Sequence, residues 1–539
     1  MVEGSVKSAT GLSQSVRAVV GLVLLLPALL ALLWSYVLPT ASAVALSVQA
    51  DAPGRSSPGA DGSNYDRIPE FFPSVQSAIL TGLLPIAAAI FVAPLLAFVA
   101  DRAGRTSRLV TRGLLALPLA AYAPVPVAMG WQRSALDDSE FSVRSFIAIT
   151  SFGLVVAVAA TLYLSALRKR GPRSGVGPAM MTVGGLLALG IVAASLQTYV
   201  APALLRGLED RGGEGGASDG TTSPLYEAVE LIRQVDLGAS AALWTLLFAA
   251  LALLGVIAVL LLLATRSRIE YDGKAEQGKA RAGFVAATGL ALLILVVVVG
   301  YAVLRPLFAL GSGEPLLDSS LLPKAMVNTW LPPLISALVS VLLAAIAGFG
   351  IGVMRPLGRW SEALLLPFAP WLFLGAESMS VTQFLQTNKS EPVTLLLDRM
   401  PPVWLSVPAL VAFTLLFRGQ AARWRAGEGF LRAILLPTGP MLLLTMLFTW
   451  LVTAQGMLWQ WAAGTSPDTV PMLMANQMAM SMTGVDNSLL VIGVGLPAAF
   501  FLLAFGALQL GYLDRLAIRV GRETPATPSE HPGPGAEAS

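Results

Sequence analysis

The amino-acid sequence predicts an all-α polytopic membrane protein, with about twelve transmembrane helices in two parallel six-helix repeats and both termini in the cytoplasm. Charged residues make up 12% of the chain and hydrophobic residues 55%, whereas about 25% of the residues of soluble domains are charged. The chain contains long apolar runs, and a helix needs about 20 apolar residues to cross a bilayer. Arginine-rich loops alternate with loops that carry few bases, and the two halves of the chain share short motifs.

Twelve apolar runs are predicted to span the membrane. They lie at 19–38, 76–100, 113–131, 146–166, 179–200, 239–264, 284–308, 329–354, 361–376, 403–417, 431–455 and 487–513. The ninth and tenth are short and marked by proline. The first could be a signal peptide, because Ala41-Ser42-Ala43 resembles a cleavage site. Its apolar core is longer than the roughly 7–15 residues of such signals, which favours a membrane span.

The charges of the loops predict which side of the membrane each loop faces. Arginine and lysine are concentrated at 101–112, 167–178, 266–282 and 418–430. The alternate long loops are acidic or lack bases, at 39–75, 201–238 and 456–486. Because basic loops remain in the cytoplasm, both termini are predicted to be cytoplasmic. The expected location is the cell membrane, which the chain crosses many times.

Two pairs of motifs indicate an internal repeat. "GRTSRLVTRGLLALP" at 104–118 is echoed by "GRWSEALLLP" at 358–367, and Val235-Asp236 is echoed 250 residues later by Val485-Asp486. Six spans in each half give both halves the same orientation, and in such folds the substrate path lies between the halves. The predicted parts are a first half, a cytoplasmic linker, a second half and a disordered tail, at 1–265, 266–283, 284–520 and 521–539.

The residue types that are missing limit the chemistry. The chain has no cysteine, and its single histidine, His531, lies in the Pro- and Gly-rich tail. This excludes disulfides and thiolate metal sites, and it disfavours a histidine base or a zinc centre with imidazole ligands. No metal site and no cofactor are predicted. No nucleotide-binding G-x-x-x-x-G-K-[ST] motif is present either, so ATP hydrolysis by that route would need another protein.

A segment between the tenth and eleventh spans, "GQAARWRAGEGFLRAILLP" at 419–437, resembles the Glu-Ala-Ala-x-x-x-Gly loop of the membrane subunits of binding-protein-dependent ABC importers, in particular maltose-type sugar permeases. "SALRKRG" at 165–171 resembles a first-half copy. The matching positions are Ser165, Ala166, Leu167, Gly171, Gln420, Ala421, Ala422 and Gly427. The resemblance covers roughly 70–265 and 284–520, as a fusion of two permeases that are usually separate.

The resemblance implies a transport subunit that is not itself an enzyme. It implies three partners: a separate ATP-binding subunit that docks on loops 4–5 and 10–11, an extracytoplasmic solute-binding protein, and a sugar or similar small polar solute. No nucleic acid is expected. Two departures bear on the docking, because Ser165 and Gln420 replace the acidic residue of the family and Gly427 lies one position late.

Polar and aromatic residues inside spans are candidates for a substrate path. They are Gln197, Tyr199, Trp450, Gln455 and Trp459. Aromatic rings can stack on the apolar face of a sugar while amides bind its hydroxyls, although tryptophan at span ends is also typical of the interfacial aromatic belt. No predicted span contains a well-placed interior Asp or Glu, which argues against a proton relay.

Two other functions remain open. A secondary transporter of the major facilitator type would also have twelve spans in parallel halves, and "AFVADRAGRTSR" at 97–108 comes close to its Gly-x-x-x-Asp-Arg-x-Gly-Arg loop. A membrane-embedded glycosyltransferase would need acidic residues in the first outer loop. That loop contains Asp51, Asp61, Asp66 and Glu70 in a setting typical of a flexible linker.

Overall fold

Long apolar helices dominate the computed structural model of the chain. It describes residues 13–49, 63–134, 142–168, 176–209, 220–272, 281–310, 321–386, 400–401, 403–425, 427–463, 469–481, 485 and 487–521. Within these ranges, nine helices are long and apolar enough to cross a membrane, or up to eleven if each of two bent helix pairs is one span. The helical, multi-pass membrane class is confirmed, while the number twelve stays a prediction.

The long helices of the described part lie at the predicted spans, and shorter helices and two strands accompany them. In chain order they are α1 (Gln14–Ser47), α2 (Phe71–Arg102), α3 (Arg105–Ala120), α4 (Pro124–Ser134), α5 (Val143–Leu167), α6 (Val176–Leu196), α7 (Val200–Glu209), α8 (Pro224–Arg233), α9 (Leu237–Thr265), β1 (Arg268–Tyr271), α10 (Ala282–Leu310), α11 (Leu321–Met354), the 3-10 helix α12 (Gly358–Trp371), α13 (Ala376–Gln386), α14 (Val407–Arg425), α15 (Leu431–Ala454), α16 (Met457–Ala463), α17 (Val470–Ser481), α18 (Asn487–Arg515) and β2 (Leu516–Arg519).

Three of the predicted spans deviate from a simple crossing helix. The third is the bent pair α3 and α4, with an angle of 76°, and the ninth is the bent pair α12 and α13, with an angle of 60°. The tenth coincides with α14, which carries Arg418, Arg423 and Arg425 and is not among the nine. Arginine is costly in the hydrocarbon core, which is why the last two turns of α14 are not suited to crossing a membrane.

Proline explains a feature shared by α1, α2, α10, α15 and α18. Each contains a five-residue π-helical turn, and a proline follows two residues after its end: Pro39, Pro94, Pro306, Pro437 and Pro497. The residue before each proline donates its N–H five residues back instead of four. Because proline has no N–H and its ring clashes with the carbonyl four residues earlier, the wider turn removes the clash and keeps the helix continuous.

The helices of the two halves make corresponding contacts. α2 packs against α5 and α6, and α11 packs against α14 and α15. α3 packs against α18 from the other half of the chain, and α12 packs against α9. The first helix of each half also crosses over, since α1 contacts α11 and α10 contacts α2. The two halves are therefore interlocked.

Glycine allows the closest of these contacts. A Cβ at Gly255 of α9 would lie 2.1 Å from the carbonyl oxygen of Ala369 in α12, and a Cβ at Gly419 of α14 would lie 2.0 Å from the carbonyl oxygen of Ile269 in β1. Real Cβ atoms do not come so close to another atom. Small residues let backbones approach in this way in membrane proteins.

A two-stranded antiparallel sheet, which the sequence analysis did not predict, joins the ends of the two halves. β1 pairs with β2 so that Arg268 lies opposite Arg519 and Tyr271 lies opposite Leu516. β1 lies inside the segment 266–283 that was predicted to be a linker, directly after α9. β2 directly follows α18, so each strand comes after the last long helix of its half.

Candidate functional site

The side chain of Gln197, which follows the end of α6, stabilises the bend between α12 and α13. Gln197 donates a hydrogen bond to the carbonyl of Phe373 at 2.8 Å and accepts hydrogen bonds from the N–H of Gly375 at 2.9 Å and the hydroxyl of Ser378 at 2.8 Å. A broken helix leaves backbone groups without helical partners, and inside a membrane protein other protein groups must satisfy them. Gln197 therefore fixes the bend.

The amide of Gln197 is fully occupied. Its nitrogen also donates to the carbonyl of Ala193 at 2.9 Å, so both of its hydrogens and both acceptor sites of its oxygen are in use. In this conformation the predicted substrate-path residue Gln197 contacts protein groups on every side of its amide.

A cavity of about 300 Å³ lies beside this bend. It is bounded by the α3–α4 junction, by α5, by the segment around Gln197 and Tyr199, and by α13. Tyr122 and Glu377 contribute to its wall, and most of the other lining residues are apolar. Glu377 is the one charged side chain among the described residues that line it. This volume is at the lower end of the range for small-molecule sites.

Glu377 is the functional candidate that the sequence analysis missed. The predicted ninth span ended at residue 376, one position before it. A carboxylate oxygen of Glu377 accepts a hydrogen bond from the N–H of Met457 at 2.7 Å, at the start of α16. The sequence signal was an acidic residue two positions after Gly375, at the end of an apolar run, because intramembrane acidic residues are rare and are usually functional.

Tyr199 also belongs to this cavity. Its ring lines the wall, and its hydroxyl accepts a hydrogen bond from Arg233 of α8 at 3.1 Å. Arg233 pairs with Glu230 at 3.5 Å and lies over the ring of Trp461, 5.9 Å from its centre. Tyr199 therefore links the cavity wall to a more exposed charged group.

The remaining predicted path residues lie in the second half and do not line this cavity. Trp450 donates to the carbonyl of Trp330 at 2.8 Å and contacts the ring of Phe501 at a centroid distance of 5.3 Å. Gln455 is buried and donates to the carbonyl of Gly493 at 3.1 Å. Trp459 is buried as well. The structure thus brings Gln197, Tyr199 and Glu377 to one cavity, which the other three residues do not line.

The coupling residues of the first half are mostly enclosed. Ser165, Ala166 and Leu167 form the buried last turn of α5, where the Ser165 hydroxyl donates to the carbonyl of Thr161 at 3.1 Å. Gly171, like most of the predicted tail 521–539, lies outside the described residues.

The coupling residues of the second half divide into two groups. Gln420 and Ala421 are buried in α14, whereas Ala422 and Gly427 are exposed. α14 contacts β1, which lies against this part of the helix. Of the matching positions that the structure describes, Ala422 and Gly427 are accessible to a docking partner.

The segment between α14 and α15 is a tight turn. Gly427 has φ +94°, a conformation that favours glycine, and its N–H donates to the carbonyl of Trp424 at 3.1 Å. Arg423 donates two hydrogen bonds to the carboxylate of Glu428, at 2.6 and 2.7 Å. The Arg423 guanidinium lowers the pKa of Glu428 below its usual value. The ion pair between Arg423 and Glu428 therefore stabilises the turn.

Several arginines of the basic loops are buried in ion pairs. Asp514 pairs with Arg108 at 2.8 Å and with Arg112 at 3.5 Å, and its backbone carbonyl accepts a hydrogen bond from Arg168. Glu362 of α12 pairs with Arg418 at 3.2 Å. We call the side of the molecule that carries these pairs the arginine-rich face. Its charges do more than set topology, since they connect helices of both halves.

Comparison of the chain with known protein families, curated proteins and solved structures found no match in any of the three. No group of three or more metal-ligating acidic side chains or histidines is brought together in the described part of the chain. The features that bear on function are therefore the helix packing, the cavity and the exposed residues of the arginine-rich face.

Proposed function

We propose that this chain is the membrane permease of a binding-protein-dependent ABC importer, in which two permease halves are fused and a small polar solute passes between them. The observation that carries the proposal is the corresponding packing of the two halves. Each third span is a bent pair, and each of these pairs packs against the last long helix of the opposite half. Such correspondence supports the parallel repeat of six spans per half and, with it, twelve spans in all.

The two-stranded sheet supports the same repeat. β1 and β2 occupy corresponding places after the last helix of each half, and they pair with each other. Two equivalent strands that pair in antiparallel fashion are related by a two-fold axis, which is the symmetry expected of two like subunits. In the proposed topology, the arginine-rich face is cytoplasmic and both termini lie on that side of the cell membrane.

The cavity beside the bend is the proposed part of the solute path. Its walls come from both halves, because α5 and the α3–α4 junction belong to the first half and Glu377 belongs to the second. About 300 Å³ suits a small polar molecule such as a sugar. The ion pairs of Asp514 and Glu362 lie on the arginine-rich face, which we propose to be cytoplasmic. A solute would therefore enter from the opposite side.

Energy for transport is proposed to come from a separate ATP-binding subunit. The chain lacks a nucleotide-binding loop of the G-x-x-x-x-G-K-[ST] type, and the exposed Ala422 and Gly427 lie where the resemblance implies docking. An extracytoplasmic solute-binding protein would deliver the solute on the other side. No enzymatic activity is proposed for the chain itself.

A proton-coupled secondary transporter is the second candidate, and Glu377 favours it. An intramembrane carboxylate can carry a proton between two sides of a membrane. However, rocking of two halves as rigid bundles is the mechanism of that class, and here α1 and α10 each pack on the opposite half.

For the glycosyltransferase alternative, Asp66 accepts a hydrogen bond from the N–H of Ser63 at 2.9 Å, which is a capping role.

Affinity purification of the tagged full-length protein in mild detergent, followed by mass spectrometry, tests the proposal. We expect an ATP-binding subunit in the eluate of the wild type. Ala422→Glu should remove it, because the exposed docking surface gains a charge. Ala282→Glu is the matched control, since Ala282 is also exposed but begins α10, away from the turn. Absence of any ATP-binding subunit in several detergents would overturn the importer and favour secondary transport.

A further inference from the structure

A strongly basic cleft opens on the arginine-rich face, apart from the proposed solute path and next to the start of the coupling turn, from which Arg425 contributes to its wall. It has a volume of about 340 Å³ and lies between the start of α1, the connection from α11 to α12, and the end of α14. Among the described residues, eight line the cleft, and four of them are arginines and none is acidic: Arg17, Arg355, Arg359 and Arg425. Like charges held this close together repel one another, so the cleft is suited to an anion.

The hydrogen-bonding capacity of the cleft is not exhausted by the protein. The Nε atom of Arg17 is buried and has no hydrogen-bond partner among the described residues. Arg355 pairs with Glu362 at 3.4 Å, but Glu362 also pairs with Arg418 at 3.2 Å, so one carboxylate serves two guanidinium groups. A buried donor without an acceptor is destabilising, and a ligand with several acceptor oxygens would satisfy it.

The surroundings of the cleft are those of a membrane interface. Trp360, beside Arg359, is 66% exposed, and Leu357 is 50% exposed. On α1, Val16 and Val19 next to Arg17 are also exposed. Tryptophan is enriched at the depth of lipid headgroups, and exposed apolar side chains beside it are covered by acyl chains in a bilayer. The cleft therefore lies where charged headgroups and acyl chains meet.

We propose that this cleft binds the phosphate of an anionic phospholipid, whose acyl chains lie along the exposed apolar side of α1. Guanidinium groups match phosphate oxygens with paired hydrogen bonds. Basic pockets between transmembrane helices are known lipid-headgroup sites. The bound lipid would connect the first helix of the chain to α11, α12 and α14. This inference does not depend on the importer function.

Native mass spectrometry of the full-length protein tests the proposal. The purified protein is exposed to phosphatidylglycerol, to phosphatidylcholine or to inorganic phosphate, and the retained molecules are counted. The test variant is Arg17→Gln with Arg359→Gln. The matched control is Arg432→Gln, which removes an exposed arginine outside the cleft. One arginine near an anionic lipid changes binding about five-fold, so the double variant should lose phosphatidylglycerol affinity by about 25-fold.

The proposal is supported if the wild type and Arg432→Gln retain phosphatidylglycerol over phosphatidylcholine while the double variant does not. Three results would overturn it. Arg432→Gln could lose as much lipid as the double variant, which would indicate unspecific surface charge. Inorganic phosphate could displace the lipid at equal concentration, which would indicate a soluble anion as the ligand. The double variant could keep its lipid but lose a protein partner, which would indicate an acidic protein surface as the ligand.

Discussion

Replacing Asp514 with asparagine should strongly destabilise the protein, because the change removes the closest counter-charge of two buried cations, and among the described residues only Arg108 has a second acid nearby, Asp101 at 3.7 Å. The side chains of Arg108, Arg112 and Asp514 are 5%, 1% and 4% exposed. Asparagine keeps the size of the side chain and can still accept a hydrogen bond, so the variant removes charge with little change in packing. The effect therefore measures the ionic part of this contact.

The magnitude follows from the geometry of the pair. Removing one partner of a buried ion pair costs about 3–5 kcal/mol. The direct contact of Asp514 is with Arg108, at 2.8 Å, and Arg112 adds a weaker contact at 3.5 Å. Because Asp101 remains near Arg108, we expect Asp514→Asn to cost about 3 kcal/mol, the lower end of that range and about a hundred-fold in the folding equilibrium.

Reversible unfolding by sodium dodecyl sulfate in mixed micelles, followed by circular dichroism, would measure this cost. Asp272→Asn is the matched control. Asp272 pairs with Arg168 on the same face, but at 3.8 Å and with 30% of its side chain exposed. Exposed pairs contribute about 0–1 kcal/mol. If Asp514→Asn destabilised the protein no more than Asp272→Asn does, the buried ionic contact would not hold α3 to the end of α18, and the reasoning would be refuted.

Three further predictions concern other contacts. Glu377→Ala should lower the free energy of unfolding by about 1–3 kcal/mol, because it leaves a buried N–H of α16 without its acceptor. Glu377→Gln should cost less, because an amide oxygen can still accept that hydrogen bond. Thermal unfolding in detergent compares the two variants. By the same measurement, Gly419→Val should lower the free energy of unfolding by about 1–3 kcal/mol, because its Cβ would lie 2.0 Å from a carbonyl oxygen of β1. Gly429→Val is the control and should cost less, because a Cβ at that position has no atom within 4 Å. Arg423 lowers the pKa of Glu428. The ionised form of Glu428 therefore stabilises the folded state above the usual pKa of glutamate, and this contribution is lost as the pH falls through the lowered pKa. The difference in stability between wild type and Glu428→Gln should shrink from pH 7 toward acid.

Each of these predictions has a result that would contradict it. Equal losses from the alanine and glutamine variants of Glu377 would mean that its charge, not its hydrogen bond, matters. A tolerated valine at Gly419 would mean that α14 does not touch β1 so closely. A constant difference between wild type and Glu428→Gln at all pH values would mean that the ionised carboxylate does not stabilise the turn. Since the Arg423–Glu428 pair is about one-third exposed, that difference should be small and should decrease with salt.

Hydropathy predicted the positions of the long helices well, because a membrane span needs a continuous apolar run whatever its neighbours are. It did not predict where a helix breaks. The ninth run ended at residue 376 by hydropathy, whereas the chain bends before it and continues as α13 to Gln386. Glu377 therefore lay outside every predicted span. Whether an acidic residue lies in a cavity depends on distant side chains such as Gln197, and no local pattern contains that information.

The sheet and the buried ion pairs were also beyond a local interpretation of the sequence. β1 and β2 have four residues each, and the residues that pair between them are separated by almost half the length of the sequence. Short strands depend on tertiary context more than on intrinsic preference. The arginines of the predicted basic loops were interpreted as topology signals, but Arg108 lies in the first turn of α3 and is buried. Its ionic partner, Asp514, is 406 positions away, and only the packing of α3 on α18 brings the two together.

The pairing of β1 with β2 has a consequence for either half made alone. A separate first half would expose β1 as an edge strand, with unpaired N–H and C=O groups that attract another strand. In the full chain residue 268 lies opposite 519 and residue 271 opposite 516, a register that two copies of one strand could adopt by facing each other. Isolated halves would therefore tend to associate through this strand, and joining them in a single chain gives each strand a partner as soon as both are made.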